Sequence, residues 1–317
     1  MIQRKTRRKN WQSLFTLIEL TAAITAILAA MLVPVFAQAQ DKAHENSSGE
    51  FRPDENTLFL AHYNTSLDAD YSQGPAKHHP IDTCYLTKNN GGYFGEGLAG
   101  RVGAEALKEA GADVKDSSLI PAKAFDGIRY PSPGNLDLAK GTFECWYKPC
   151  FSIKRAEDLP KDWPIQYHIF AYRESAPSYL SLGINSYGEP GTGNLFFFVT
   201  KGGGAVCIQP AFNWKPGTWH HVAITWDATQ EPGKITLFVD GQLAQSQPLS
   251  ALKGGFLKQS SQFPYFSIGS PLWRRSADPR QFGKADGIID EVRISNSARY
   301  TESFKLPEKP QPAAAQK

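Results

Sequence analysis

Trp219-His220-His221-Val222-Ala223-Ile224-Thr225-Trp226-Asp227 and, after a short loop, Ile235-Thr236-Leu237-Phe238-Val239-Asp240-Gly241-Gln242 decide the fold. Val222 and Ile224 alternate with Ala223 and Thr225, the two-residue period of a strand with one buried face. Asp240-Gly241 stands between an apolar strand and Leu243, the signal for a tight hairpin whose turn residues are left-handed. The pair reads as two antiparallel strands.

Working outward, Leu58–His62, Thr142–Lys148, Tyr167–Tyr172, Tyr179–Ile184, Leu195–Thr200, Tyr265–Ile268 and Ile288–Ile294 are similar short runs rich in β-branched or aromatic residues. Gly, Pro, Asn or Asp bounds most of them. Only Ala104–Ala110 has a helical pattern. Many short strands separated by turn residues predict an all-β antiparallel sandwich or barrel, and residues 57–304 suit a single domain. Residues 38–56 are polar and read as a linker, and residues 305–317, rich in Pro, Ala and Gln, read as a disordered tail.

The two opening runs are joined by Phe266-Ser267-Ile268-Gly269-Ser270 and by Gly287-Ile288-Ile289-Asp290-Glu291-Val292-Arg293-Ile294. Upstream lie Leu58–Tyr71, Gly134-Asn135-Leu136-Asp137 and Gly141-Thr142-Phe143-Glu144-Cys145-Trp146-Tyr147-Lys148-Pro149. In this order the runs resemble the motifs of LamG-like, concanavalin A-type jelly-roll domains. The resemblance implies an antiparallel jelly-roll β-sandwich over residues 57–304.

The N-terminus has a different character. Residues 1–13 form a basic leader with Arg4, Lys5, Arg7, Arg8 and Lys9, and Glu19 is the only ionisable side chain from Leu14 to Ala37. About 20 apolar residues suffice for a helix to cross a bilayer core, so residues 14–37 are expected to form one transmembrane anchor helix. Basic residues ahead of it place the remainder outside the cytoplasm. A lone carboxylate in such a helix asks for a partner. Phe15-Thr16-Leu17-Ile18-Glu19 resembles the prepilin motif of type IV pilins and pseudopilins, and Val33-Pro34-Val35-Phe36-Ala37 resembles a later part of bacterial versions. In that family the equivalent of Glu19 is thought to pair with the N-terminal amine of a neighbouring subunit. Leu14 stands where that family's peptidase expects Gly. An export signal is the competing reading, with Ala37-Gln38-Ala39 as its cleavage pattern and Thr6-Arg7-Arg8 similar to a twin-arginine leader.

The formal charge of +3 sits largely in the leader, so no basic face is left over for nucleic acid. An apolar share of 41% and an aromatic share of 12% suit a globular core. Cys84, Cys145, Cys150 and Cys207 lack zinc-knuckle spacing. A Cys145–Cys150 disulfide and free thiols both stay open.

Glucanases on this sandwich carry acidic residues two apart on one strand, because acid and nucleophile must flank one bond about 5 Å apart. No such array is present; Asp290 and Glu291 are adjacent and point to opposite faces of a strand. His220 and His221 do the same, and read as one inward, hydrogen-bonded ring and one outward ring, with no partner carboxylate signalled. Asp290 falls in phase with Ile288, Val292 and Ile294 and is expected to face inward. Such a carboxylate needs donors or a cation. The resemblance makes Asp290 a candidate calcium ligand with the Asn64–Asp70 loop supplying others; backbone N–H donors or Arg129 are the alternative. Trp146, Trp219 and Trp226 read as strand residues of the core or sheet face. Trp163, Tyr187, Trp214 and Trp273 read as loop residues, where function concentrates.

These features describe a bacterial cell-envelope protein with a single-pass anchor and an extracytoplasmic module that binds a glycan or an envelope protein without catalysis. A minor pilin or pseudopilin among pilin-like subunits is the alternative, and a laminarinase-like hydrolase a third reading.

Overall fold

The computed structural model describes residues 49–79, 84–87, 90–100, 127–151, 164–187, 192–270 and 282–307. The leader, the anchor helix with Leu14, Phe15 and Glu19, and the Ala104–Ala110 pattern lie outside these residues. Among the described residues no helix is long and apolar enough to cross a membrane. The chain divides at Gly49–Glu50, and the sandwich belongs to the second unit.

Every regular element of the described residues is a strand. In order they are β1 (Thr57–Ala61), β2 (Tyr71–Ser72), β3 (Cys84–Leu86), β4 (Leu98–Gly100), β5 (Ile128–Pro131) and β6 (Lys140–Pro149). Then come β7 (Ile165–Ser175), β8 (Ser178–Ser186), β9 (Thr192–Lys201), β10 (Gly204–Ile208), β11 (Ala211–Asn213) and β12 (His220–Asp227). The last are β13 (Lys234–Val239), β14 (Gln242–Pro248), β15 (Tyr265–Ile268), β16 (Phe282–Lys284) and β17 (Gly287–Ser295). One sheet runs β14-β13-β12-β6-β17-β1-β2, with β4 on β17 and β3 on β4; the other runs β10-β9-β8-β7-β15-β5, with β11 on β9 and β16 on β7. All nine predicted strand runs are present. The predicted hairpin closes as expected, with Asp240 and Gly241 left-handed at φ of 50° and 75°.

Alternation decides which side chains meet between the sheets. Phe143, Cys145 and Tyr147 of β6, Val222, Ile224 and Trp226 of β12, and Ile235 and Leu237 of β13 share one core with Tyr167, Phe170, Leu182 and Phe197 of the second sheet. Each such side chain contributes about 1.5–3 kcal/mol by leaving water. The Trp226 indole also donates to the Asp137 carbonyl at 2.9 Å.

One buried face on β12 is expected, and two are found. Ala223 packs outside the sandwich with Phe238 and Tyr300, and Phe304 lies against them. The residues after β17 fold back over the outer face of the first sheet, as does the segment before β1, where Phe51 is buried. Glu50–Asn56, read from sequence as linker, is therefore packed against the sandwich.

Cys145, Cys150 and Cys207 are free thiols. Cys145 lies in the extended strand β6 and Cys150 just past its end, about 16 Å apart at strand rise, beyond the reach of a disulfide.

Candidate functional site

The site grows from β17. Asp290 pairs with Trp146 and Arg293 with Glu144, so Glu291 and Val292 together oppose Cys145 and one residue is extra. Glu291 absorbs that bulge with a left-handed φ of 52°, a strain of about 1–3 kcal/mol that its surroundings must hold. The phase of the strand reverses here. Ile289 lies in the inter-sheet core, as do Val292 and Ile294 beyond the bulge, whereas Asp290 faces outward beside Trp146. The expected inward phase of Asp290 is thereby corrected: an unbroken alternation cannot be read through a bulge.

Although outward, Asp290 is buried. Its Oδ2 accepts the N–H of Tyr93 at 2.7 Å and of Phe94 at 2.9 Å. Its Oδ1 accepts the N–H of Glu291 at 2.9 Å. Burial, and then the charge of Glu291, push the Asp290 carboxyl well up in spite of these donors. These residues do not fit a calcium ion. The N–H dipoles point their positive ends at both oxygens, where a hard cation wants six or more free oxygens. The loop expected to supply more is engaged too: Asn64 Oδ1 accepts from Glu96 N, Asp68 pairs with His78, and Asp70 accepts from His62 N. Among the described residues no group of three or more His, Cys, Asp or Glu could hold a metal ion. Arg129 instead contacts His79 at 3.1 Å. Asp290→Ala should cost about 2–4 kcal/mol, because buried N–H donors lose their acceptor. Its melting curve, like that of the parent, is expected to be the same in calcium and in chelator. A chelator-induced drop in the parent that the variant lacks would restore the cation.

What Asp290 does is hold the loop Gly91-Gly92-Tyr93-Phe94-Gly95. A Cβ on Gly92 would meet the Glu96 carbonyl at 2.3 Å and Asp290 Oδ2 at 2.7 Å, so only glycine allows this approach. The loop lays the Tyr93 ring flat on Trp146, with centroids 3.6 Å apart and planes at 11°. Face-to-face stacking is not the preference of two free rings; the backbone anchor on Asp290 imposes it. Trp146 is buried, and its Nε1 has no hydrogen-bond partner among the described residues. Trp219, just before β12, meets Tyr93 edge-on at 5.7 Å. Lys148 Nζ lies 4.9 Å from the Trp219 ring centre and donates to the Gly91 carbonyl at 3.2 Å. Tyr93 and Trp219 are each part-exposed. Together they form an aromatic platform at the end of the first sheet where β6 stops and β12 and β17 begin.

The hairpin turn supplies the polar edge. Asp240 Oδ2 is 2.8 Å from His220 Nδ1, and its Oδ1 accepts the His221 N–H at 2.8 Å. The His220 ring stacks on Trp214 at 4.1 Å, and its Nε2 is 2.9 Å from Thr218 Oγ1. His221, whose N–H Asp240 accepts, pairs in register with Trp146 across β12 and β6, and burial, then the charge of Asp240, raise the Tyr93 phenol.

Behind the platform the outer face holds a buried ion cluster. Glu144 accepts from Arg293 Nε at 2.8 Å and from the Tyr300 hydroxyl at 2.8 Å, and its Oε2 lies 3.2 Å from His221 Nε2. Burial would push the Glu144 carboxyl up, but Arg293, His221 and Arg299 outweigh it and hold the group far below the usual range. Phe51 lies under the Arg293 guanidinium at 4.2 Å, and its N–H donates to Glu291 Oε2 at 2.7 Å. His62 Nδ1 is 2.7 Å from Glu291 Oε1. Burial alone would lower the His62 pKa; Glu291 raises it. Asp54 forks onto Arg299 at 2.6 and 2.7 Å and is held near 2, burial being outweighed by Arg299.

Both histidines thus have the partner carboxylate that sequence does not signal, because Asp240 and Glu144 arrive from other strands. His221 and Glu144 are wholly buried and cannot touch a substrate; they secure the terminal segments. Among the tryptophans, Trp226 is core as expected. Trp214 is loop but buried and Trp219 is loop and part-exposed; the loop tyrosine Tyr187 is exposed. Trp163 and Trp273 lie outside the described residues. The readable signal for the platform was a pair of aromatics, Tyr93-Phe94, framed by Gly91, Gly92 and Gly95.

The profile of the family described as the concanavalin A-like lectin/glucanases superfamily matches residues 123–303. No curated protein matches the chain in sequence. Among solved structures, domains LG4-5 of the mouse laminin α1 chain are 14% identical with a TM-score of 0.39, over 53% of this chain and 39% of that one. The chain therefore spans well under half of that laminin fragment. The sialidase CBM40 of Ruminococcus gnavus is 17% identical with a TM-score of 0.38, over 54% and 87%. The binding domain of botulinum neurotoxin serotype G is 11% identical with a TM-score of 0.47, over 77% and 48%. Likenesses of this size carry no function across.

Proposed function

The chain belongs to the concanavalin A-like lectin/glucanases superfamily, and we propose that it is a membrane-held, extracytoplasmic module that recognises glycans through the Tyr93–Trp146–Trp219 platform. The observation that carries this reading is the flat Tyr93–Trp146 stack flanked by Trp219, with Lys148 at its edge. Part-exposed aromatics with a few placed polar groups are what a sugar site needs: an apolar floor and fixed orientation. Membrane attachment rests on the apolar run Leu14–Ala37 behind its basic leader.

Trp219→Ala and Tyr93→Ala in the full chain, assayed in detergent on a glycan array, are expected to lose about 30-fold or more in affinity, the loss usual for a central aromatic anchor. Their melting temperatures should stay close to that of the parent, since neither ring is core. Binding that survives both substitutions would remove the platform from the reading. The module is non-catalytic in this proposal, which the burial of Glu144, Asp290 and Glu291 supports; release of reducing sugar from laminarin or xylan is the opposing result.

A second reading, favoured by Phe15-Thr16-Leu17-Ile18-Glu19, makes the sandwich the outer domain of a minor pilin or pseudopilin. Here Glu19→Ala should abolish incorporation into filaments and leave the melting curve of the sandwich unchanged. Unchanged incorporation would sink this reading, and a mature N-terminus at Gln40 would identify an export signal instead.

A further inference from the structure

Two routes of contact lead from the segment before β1 to the Tyr93 loop. The first is polar. The Phe51 N–H donates to Glu291 Oε2 at 2.7 Å, the Glu291 N–H donates to Asp290 Oδ1 at 2.9 Å, and Asp290 Oδ2 accepts from the Tyr93 and Phe94 N–H groups. The second is aromatic. The Phe51 ring meets His221 edge-on at 6.0 Å, His221 meets Trp146 at 5.3 Å and 70°, and Trp146 carries Tyr93 at 3.6 Å. Both begin at Phe51 and end at Tyr93. On the polar route sits Glu291, whose left-handed φ of 52° persists only while its surroundings hold it. A residue of that kind is the two-state element that coupling between two sites needs. With Phe51 seated its backbone is held; without Phe51 it is free to relax, and it shifts the Asp290 carboxylate to which its N–H is bonded.

We infer that Glu50–Asn56 is a strap that governs the Tyr93 loop: seated, it keeps Tyr93 stacked on Trp146, and drawn off by tension on the chain N-terminal to it, it releases the loop and unmakes the platform. The order of release follows from the fastenings. Phe51 stands near the N-terminal end of the strap, whereas Asp54 and Asn56 secure the other end, on Arg299 and on the Asn296 N–H. A pull from the N-terminal side therefore reaches Phe51 first, while the fork on Arg299 still holds. Loss of the Phe51 N–H and ring strikes both routes at once. The coupling is reciprocal, so whatever orders the loop also seats the strap, and it holds whatever ligand the platform takes.

Native-state hydrogen exchange of the full chain in detergent, followed at single amides under mild urea, tests the strap without any ligand. In the parent the Phe51, Tyr93 and Phe94 N–H groups should open together, with one protection factor, below the protection of the β12 amides. Phe51→Ala should speed exchange at Tyr93 and Phe94 at least about fivefold, the lower end of ordinary coupling. Phe51→Leu, which keeps an apolar side chain and the N–H, should recover most of the protection. Leu180→Ala, in the core on β8, lowers overall stability without touching either route and should change exchange at the two loop amides less than about twofold. Separate protection factors for Phe51 and the loop amides would overturn the inference, as would opening of all three only together with β12 in global unfolding. The parent measurement decides this even where Phe51→Ala does not fold. Equal acceleration at the loop by Phe51→Ala and Leu180→Ala would overturn it too, since that reports overall stability alone.

Discussion

Glu144→Ala is expected to destabilise the sandwich by about 3–5 kcal/mol, the range for removing one member of a buried ion cluster. The side chain is fully buried between Arg293, His221 and the Tyr300 hydroxyl. Its loss leaves the equally buried Arg293 guanidinium without its counter-ion. Urea unfolding monitored by tryptophan fluorescence reads the effect as a fall in midpoint with the slope retained. The arrangement is not there because charge is stabilising in itself. A Glu144→Leu, Arg293→Met double variant should lose much less than the two single changes together, since it buries neither charge alone. A single-variant loss under about 1 kcal/mol, the value for exposed pairs, would mean that water reaches the cluster.

The same group sets a pH dependence. Because the folded-state pKa of Glu144 lies below its ordinary value, its contribution is fully present above that value, about 4.3. It is lost as pH falls below. Asp54, held near 2 by Arg299 after burial is outweighed, acts in the same sense. Glu144→Gln should therefore flatten the fall in stability between about pH 4.5 and 2, while the parent unfolds progressively over that range. An identical acid slope in both would place the titrating groups elsewhere.

Strands were legible because the first sheet's residues obey two local rules. Val222 and Ile224 alternate with small or polar neighbours, and Asp240-Gly241 can turn only one way; neither rule needs distant information. The rest depends on contacts far apart in sequence. The bulge at Glu291 inserts no Gly or Pro into Ile288–Ile294, and its strain is met by His62 and by the N–H of Phe51. Nothing within the strand announces it, so strand periodicity alone puts Asp290 on the wrong face. Once the face is corrected, the meaning of that carboxylate changes from a metal ligand to the anchor of the Tyr93 loop. Trp219 fails for a simpler reason: strand patterning extends one residue too far, and the pleat then assigns to the sheet an aromatic that stands at its end. The second buried face of β12 escapes detection because Ala223 suits either environment, and the Tyr300 and Phe304 rings that help to cover it come from the segment after β17.

That cover leads to the largest expected effect at the domain boundary. A chain beginning at Gly49 should melt close to the parent, whereas one beginning at Thr57, the boundary that strand patterning suggests, should melt roughly 10 °C lower or more. The difference rests on a short piece of chain. Removing it takes away the Phe51 ring, buried against Arg293 at 4.2 Å, and the N–H that Glu291 Oε2 accepts at 2.7 Å. It also removes the Asp54 fork on Arg299. Loss of a buried Phe alone costs about 3–5 kcal/mol. For a domain of this size each kcal/mol moves the midpoint by about 2–4 °C. Phe51→Ala in the chain beginning at Gly49 should reproduce most of the drop, which separates the ring's contribution from that of the backbone. The consequence reaches the platform as well, because Glu291 and Asp290 are neighbours and the Tyr93 loop hangs on Asp290. Thermal melts of the three proteins decide the matter. Equal midpoints for the chains beginning at Gly49 and at Thr57 would show that Glu50–Asn56 is the linker its polarity suggests, and that the outer face of the first sheet holds its buried charges without it.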